Sequence, residues 1–452
     1  MNRRDFLKIV TLLGGAVAAS RCNMLEEGDE TVIVVGAGVA GLSAASALKK
    51  WGYNVIVLEA RPRVGGRIWT SREWADAPLD MGASWIHGIT NNPIARLANA
   101  NDIKTIETDY ENHWIYTAEG SELTNAAYDR LEEYEAVVQD YITETIEMLN
   151  DDVSLQAVLG IALAEEDISA NEKQIILYLL NTIIEHEFAA DINNLSAFSF
   201  DQGDEFGGED VIFTDGYEQI IALLADGLDI RLNEIVQRVE YSDGGVTITT
   251  NQNLYDADRA VITLPLGILK SGRVQFSPAL PVDKQRAIKQ LGMGLLDKVY
   301  LRFPHIFWPK AAELLGYIGP RKGEWAEWLN IAHYTDAPIL LGFNVATFAR
   351  QTEAWSDQQI VGDAMATLRT IFGENIPDPL AWQITRWAAD PYALGSYSYL
   401  TPGTDGETLD ALATPVSGRL FFAGEATSRE YQATVHGAYL SGIHAAEELW
   451  DA

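Results

Sequence analysis

Apolar and polar positions divide the chain into stretches of different period. Val32 to Val35 is an unbroken apolar run of strand character, Ala44 to Lys50 is rich in helix formers, and Val55 to Leu58 is a second apolar strand. From Asn92 to about Asn194 the spacing is helical: Tyr128 to Leu149 carries apolar residues near every third or fourth position, and Lys173 to Ile184 repeats the pattern. Strand patterns return at Val211 to Phe213, Ile235 to Tyr241, Val246 to Thr250 and Ala260 to Leu264, the last ending at Pro265. Lys298 to Phe303 alternates, with Val299, Leu301 and Phe303 on one face and Lys298, Tyr300 and Arg302 on the other. Leu420 to Ala423 is a final apolar strand, and Val435 to Trp450 a helix with Ala and Leu on its inner face. Strands and helices mixed in this order predict an α/β protein.

The turn between the first strand and helix carries chemistry. Gly36, Gly38 and Gly41 stand there in G-x-G-x-x-G order. The first permits a tight turn, the second lets backbone N–H groups approach a pyrophosphate, and the third lets helix and sheet pack closely. A diphosphate would then lie on a positive helix end. The second strand delivers Glu59, whose carboxylate can accept from adenosine ribose hydroxyls and disfavours a 2′-phosphate, which argues against NADP. Next come Ala60, Arg61, Gly65, Gly66 and Arg67, with backbone amides and guanidinium groups placed to reach phosphate oxygens. This sequence points to the adenosine and pyrophosphate half of FAD.

With these residues the chain resembles the flavin amine oxidase family, which comprises monoamine, polyamine and L-amino acid oxidases and histone lysine demethylases. The resemblance runs from Thr31 to Leu449. It implies a discontinuous Rossmann-type FAD-binding domain made of segments 30–91, 201–270 and 386–452, with a substrate domain of helices over 92–200 and a mixed sheet over 271–385. In FFAGEATSREYQATVHGAYL it implies that Gly424 and Glu425 lie near the ribityl chain and pyrophosphate. Thr434 and Val435 would open a helix aimed at the flavin ring, with Gly437 and Gly442 allowing close approach. Val236 would support adenine, and Gly82, Ala83, Ser84 and Trp85 in GASWIHG would border the flavin. Lys298 matches the lysine this family holds near flavin N5 through a water. Trp387 and Tyr397 would form an aromatic wall, where amines approach by cation–π attraction. Ser396 stands where monoamine oxidases tether flavin through a cysteine, so FAD is expected to be noncovalent; Thr434 stands where some relatives carry a second aromatic ring.

For substrate, the GASWIHG loop looks like its polyamine oxidase version, and His87 would hydrogen-bond an internal substrate nitrogen. Glu187 matches an acidic position of the polyamine oxidase tunnel, Asp204, Glu205 and Glu209 could extend an acidic path, and Tyr217 lies in a segment that supports substrate. The expected reaction is FAD-dependent oxidation of a polyamine, giving imine, then aldehyde and amine, with O2 reduced to H2O2. An L-amino acid or monoamine oxidase is the alternative activity. An amino acid oxidase needs an arginine for the substrate carboxylate, and Arg302, Arg386 and Arg429 each have other plausible duties. A flavin-binding protein without turnover is the alternative that is not an enzyme.

Composition bounds these readings. The chain of 452 residues has 65 acidic and 32 basic side chains, a net charge of −33, which disfavours nucleic acid and would attract polycations. Its seven histidines are scattered and it has one cysteine, so no metal site and no disulfide framework is expected. Arg3 and Arg4 precede a modest apolar stretch ending in small residues, which reads as a twin-arginine export signal over 1–22, with Cys22 a possible lipid site. That predicts a periplasmic or cell-surface protein. Beyond the first 20 residues no apolar run is long enough to span a bilayer.

Overall fold

The computed structural model describes residues 30–162 and 169–452. The expected twin-arginine segment, with Arg3, Arg4 and Cys22, lies outside the described residues. At the centre is a five-stranded sheet in the order Leu420–Phe422, Arg259–Ile262, Thr31–Val35, Asn54–Glu59, Asp229–Leu232, with every pair parallel. Strands distant in sequence are thus neighbours in space. The first strand explains its own unbroken apolar pattern, because both faces are covered. Val32 and Val34 pack beneath the helices Val39–Lys50 and Val435–Asp451, while Ile33 and Val35 meet Val239 and Ile248 of a second, four-stranded sheet. Gly442 lets the C-terminal helix press against the first one, since a Cβ there would stand 2.2 Å from the carbonyl oxygen of Ala40.

A separate six-stranded sheet runs Ala381–Ile384, Leu296–Arg302, Ile339–Val345, Glu327–Asn330, Leu314–Tyr317, His113–Tyr116. Here the alternation read from Lys298 to Phe303 holds in direction and fails in polarity. Val299, Leu301 and Phe303 enter a core with Trp325 and Trp328. The opposite face is not solvated: Tyr300 packs with Met81, Leu341 and Phe343, and Lys298 is 3% exposed. The segment 74–85 folds over this face, a long-range contact that strand periodicity does not register.

The helical stretch expected over 92–194 is interrupted. Helices Pro93–Ala100, Asn125–Glu147, Leu155–Ala162 and Ala170–Leu179 form, but Thr105–Glu107 and His113–Tyr116 are strands, the second closing the edge of the six-stranded sheet. Both are too short to show a period of their own. The last helix passes into a π-helical turn, Leu180–Glu185, and one further turn, His186–Phe188, which ends with Ala189 left-handed at φ 49°.

Candidate active site

The glycine turn is built to hold an anionic dinucleotide. Gly36 sits at φ +108°, which L side chains rarely adopt, and a Cβ on Gly41 would lie 1.9 Å from the carbonyl oxygen of Gly36. Gly38 caps the helix Val39–Lys50 without a side chain, and a Cβ on it would meet nothing within 4 Å. First-turn N–H groups therefore face open space. Gly424 borders similar space, and the backbone of Gly66 lies close to Gly38. Glu59 is 6% exposed, and its carboxylate accepts from the N–H groups of Ala37 (2.8 Å) and Arg61 (2.8 Å), which fixes it at the strand end. The N–H of Glu234 bonds to the carbonyl of Glu59, and Val236 follows as a buried strand residue close by. Arg67 joins the two ends of the chain, donating to the Ser396 carbonyl (2.7 Å) and to Glu425 (2.8 Å), whose other oxygen accepts from Ser398. Thr434 caps the C-terminal helix by accepting from the N–H of Gly437. An open glycine cradle at a helix N-terminus, with an acid at the end of the adjacent strand, fits the adenosine and diphosphate of a flavin dinucleotide.

Lys298 lies under the turn that carries Gly82 to Trp85. Its ammonium donates to the carbonyls of Asp80 (2.9 Å) and Gly82 (2.6 Å) and to Ser84 Oγ (2.5 Å), and stands 5.8 Å from the Trp85 ring centre. Burial pulls its pKa down to about 8, against the opposing charge of Asp80. The Asp80 carboxyl, pushed up to about 6 by burial, accepts from Thr70 Oγ1 (2.5 Å) and from the N–H of Tyr217 (3.0 Å). Ala83 donates to the carbonyl of Arg67, and Trp387 donates to that of Met81 while its ring edge covers Gly82. Among the described residues the buried indole N–H of Trp85 has no partner, and it lies beside the same turn.

From Lys298 a row of side chains crosses the six-stranded sheet. Lys298 is opposite Phe343, the next strand places Glu327 beside it, and Gly316 follows. Glu327 is thus about 10 Å, two strand spacings, from Lys298 on the same face. Phe343 touches the rings of Trp85 and His186. His186 Nδ1 lies 3.5 Å from Glu327, and its buried Nε2 has no partner among the described residues. Burial pushes the Glu327 carboxyl up, but His186 and His113 outweigh it, and it stays below its ordinary value, hence ionised. A Cβ on Gly316 would strike Tyr178 and His113, so this pair closes the row.

Carboxylates also gather around His87. His87 Nδ1 lies 2.7 Å from Asp210, and its side chain is 49% exposed. Glu187 is exposed, yet burial still raises its pKa, with His87 lowering it and Glu205, Asp210 and Asp201 raising it. Tyr397 donates to the carbonyl of His186 (2.7 Å) and feels the charge of Glu187.

The structure therefore brings together Lys298, Gly82, Ala83, Ser84, Trp85 and Trp387 in one group, and His87, Glu187 and Tyr397 in another. Two expectations change. Tyr217 is no cavity residue: it is 1% exposed, its ring packs on Phe213, and only its backbone N–H serves the site, through Asp80. Arg61 gives its guanidinium to Asp390 in a bidentate pair (2.8 and 2.7 Å), the two-pronged match of guanidinium to carboxylate. Arg302, Arg386 and Arg429 are likewise held by Asp76, Asp357 and Asp410. The residues that sequence reading passed over are Asp80, Asp210, His186 and Glu327. Asp210 adjoins Glu209, which was noted; strand register alone distinguishes the two.

Among known proteins, the profile of the flavin-containing amine oxidoreductases matches residues 39–450. Polyamine oxidase 4 of Oryza sativa subsp. japonica is 35% identical over 92% of this chain and 88% of its own length. Lysine-specific histone demethylase 1 homolog 2 of Arabidopsis thaliana is 37% identical over 94% of this chain, which spans 59% of that protein. A putrescine oxidase redesigned in its cofactor binding superimposes with a TM-score of 0.76 at 21% identity, over 94% of this chain and 99% of its own.

Proposed function

Because the chain belongs to the flavin-containing amine oxidoreductase family, we propose that it binds FAD noncovalently and oxidises a diamine or polyamine at the carbon beside one nitrogen. FAD, when bound, supplies the acceptor for hydride from that carbon and returns the electrons to O2 as H2O2. The substrate imine is released for hydrolysis to aldehyde and amine.

The observation that carries the choice of substrate is the row from Lys298 to Glu327. An amine with its reacting carbon near the Gly82–Trp85 turn can extend a remote ammonium across Phe343 to an ionised, largely buried carboxylate. Glu187, whose charge is felt by Tyr397 and His87, offers a second carboxylate for a longer chain. Around Glu327, shielded from bulk water, such pairing is worth more than at an open surface. An α-amino acid would need a free cation for its carboxylate, and Arg302, Arg386 and Arg429 are all engaged by carboxylates. The names of relatives acting on polyamines and putrescine agree with this reading. The chain's own groups bind and orient the amine, while Trp85, Phe343 and Trp387 keep water from the reacting carbon.

We place the FAD-binding domain in segments 30–91, 201–270 and 386–452. Arg3 and Arg4, ahead of a modest apolar stretch, favour twin-arginine export to the periplasm or cell surface. A peroxide assay with spermidine, 1,4-diaminobutane, phenylethylamine and leucine tests the activity. Turnover of the first two ahead of the others is expected. Turnover of leucine alone contradicts the proposal.

A further inference from the structure

The three-stranded sheet Trp85–Ile86, Val211–Phe213, Thr105–Glu107 sets Asp210 in a defined place. Trp85 is opposite Ile212 and Ile86 opposite Val211, so the register continues to His87 opposite Asp210. On the other side Glu107 is opposite Val211, which brings Thr108 to Asp210, and the Asp210 carbonyl accepts from the Thr108 N–H (2.9 Å) and hydroxyl (3.0 Å). The Asp210 carboxylate accepts from His87 Nδ1 (2.7 Å), the N–H of Gly88 (2.8 Å) and the hydroxyl of Tyr110 (3.1 Å). One strand end thus holds the imidazole, the residue after it and the neighbouring tyrosine.

An ionised carboxylate only accepts hydrogen bonds, so the ring nitrogen it contacts carries the hydrogen. The neutral imidazole then has its lone pair on Nε2, and the ring is half exposed. The charged groups facing it are Asp210, Glu187 and Glu205. His436, packed nearby, is kept neutral, its pKa pulled down by burial to about 3. Burial lowers the His87 pKa, but the Asp210 hydrogen bond and the surrounding carboxylates outweigh it, and the net shift is upward.

Resting on the amine oxidase reading above, we propose that Asp210 is a positioning residue that makes His87 Nε2 the acceptor for the proton an ammonium substrate sheds before its carbon is oxidised. In that step the N–H bond of the ammonium breaks and its electron pair stays on the substrate nitrogen. The proton joins His87 Nε2, and the imidazolium keeps its Nδ1–H donated to Asp210. No electron leaves the substrate in this step, so no oxidant enters it.

The test compares wild type with Asp210→Asn and Asp210→Glu, using flavin-loaded protein. An asparagine amide can donate to Nδ1, which moves the ring hydrogen to Nε2 and removes the acceptor. For Asp210→Asn the plateau of kcat/KM for 1,4-diaminobutane is expected to fall on the order of 10²-fold, the scale of a lost general base. Its acid limb should move to lower pH, since a carboxylate that raised the His87 pKa is gone, and Asp210→Glu should restore both in part. Nitrogen-15 spectra of the imidazoles, with seven histidines to assign, should give His87 as the Nδ1–H tautomer in wild type. An Nε2–H tautomer in wild type overturns the proposal, as does an Asp210→Asn profile with an unmoved acid limb and plateau. A purely structural role would lower flavin content or melting temperature and leave the acid limb in place, which also overturns it. If wild type oxidises no amine, the activity fails by itself, and the tautomer measurement still decides the role of Asp210.

Discussion

Two cation–carboxylate pairs flank the candidate reaction site, and they titrate in opposite senses. Lys298 and Asp80 are sealed under the turn, where burial dominates: the lysine falls to about 8 and the aspartic acid rises to about 6, both toward neutrality. His87 and Asp210 are partly open to water and share a direct hydrogen bond, and there pairing dominates: the histidine rises and the aspartic acid falls, both toward charge. Lys298 also bonds to the Asp80 carbonyl rather than to its carboxylate, so it gains less from that charge. Within one site, solvation and contact geometry decide whether neighbouring opposite charges are shifted toward neutrality or toward charge.

Removing the sealed cation has the largest expected effect. Lys298→Met should lower amine-dependent oxygen uptake on the order of 10²-fold, the scale of losing one preorganised charge at a reacting centre. The bound flavin spectrum serves as the control for intact cofactor binding. Glu327→Gln should raise KM for 1,4-diaminobutane on the order of 10-fold or more and leave butylamine nearly unaffected, because only the dication uses that carboxylate.

The next effects concern pH and stability. The folded pKa of Asp80 exceeds its ordinary 3.8, so its contribution to stability is full below about 3.8 and is lost as pH rises through about 6. The folded pKa of Lys298 lies below its ordinary 10.5, so its cost is full below about 8 and is relieved as pH rises toward 10.5. Melting temperatures against pH should therefore lose their acid-side slope in Asp80→Asn and their alkaline-side slope in Lys298→Met. The smallest effect is Glu187→Gln, which should lower the His87 pKa slightly, read as a small downward move of the acid limb of kcat/KM.

The cofactor half of the site was legible in sequence because its determinants are local. Strand, glycines, helix, strand and acid follow one another between Thr31 and Glu59, with Gly36 in a positive-φ turn, Gly38 beside open space and Gly41 pressed on the Gly36 carbonyl. Lys298 was found through resemblance, since its strand pattern alone points to solvent. Asp80, Asp210 and Glu327 have no local signature. Asp210 acquires its partner from the register of strands about 125 residues apart in the chain, and Glu327 its place from a row through three strands. Tyr217 misled because its segment reaches the candidate site only through a backbone N–H to Asp80, with its ring turned into the core.

The ratio of kcat/KM for 1,4-diaminobutane to that for butylamine, in wild type and in Glu187→Gln/Glu327→Gln, tests most directly whether paired carboxylates select a dication. A wild-type ratio on the order of 10 or more that falls near one in the double variant is the expected result. Butylamine oxidised as well as the diamine by wild type would contradict it.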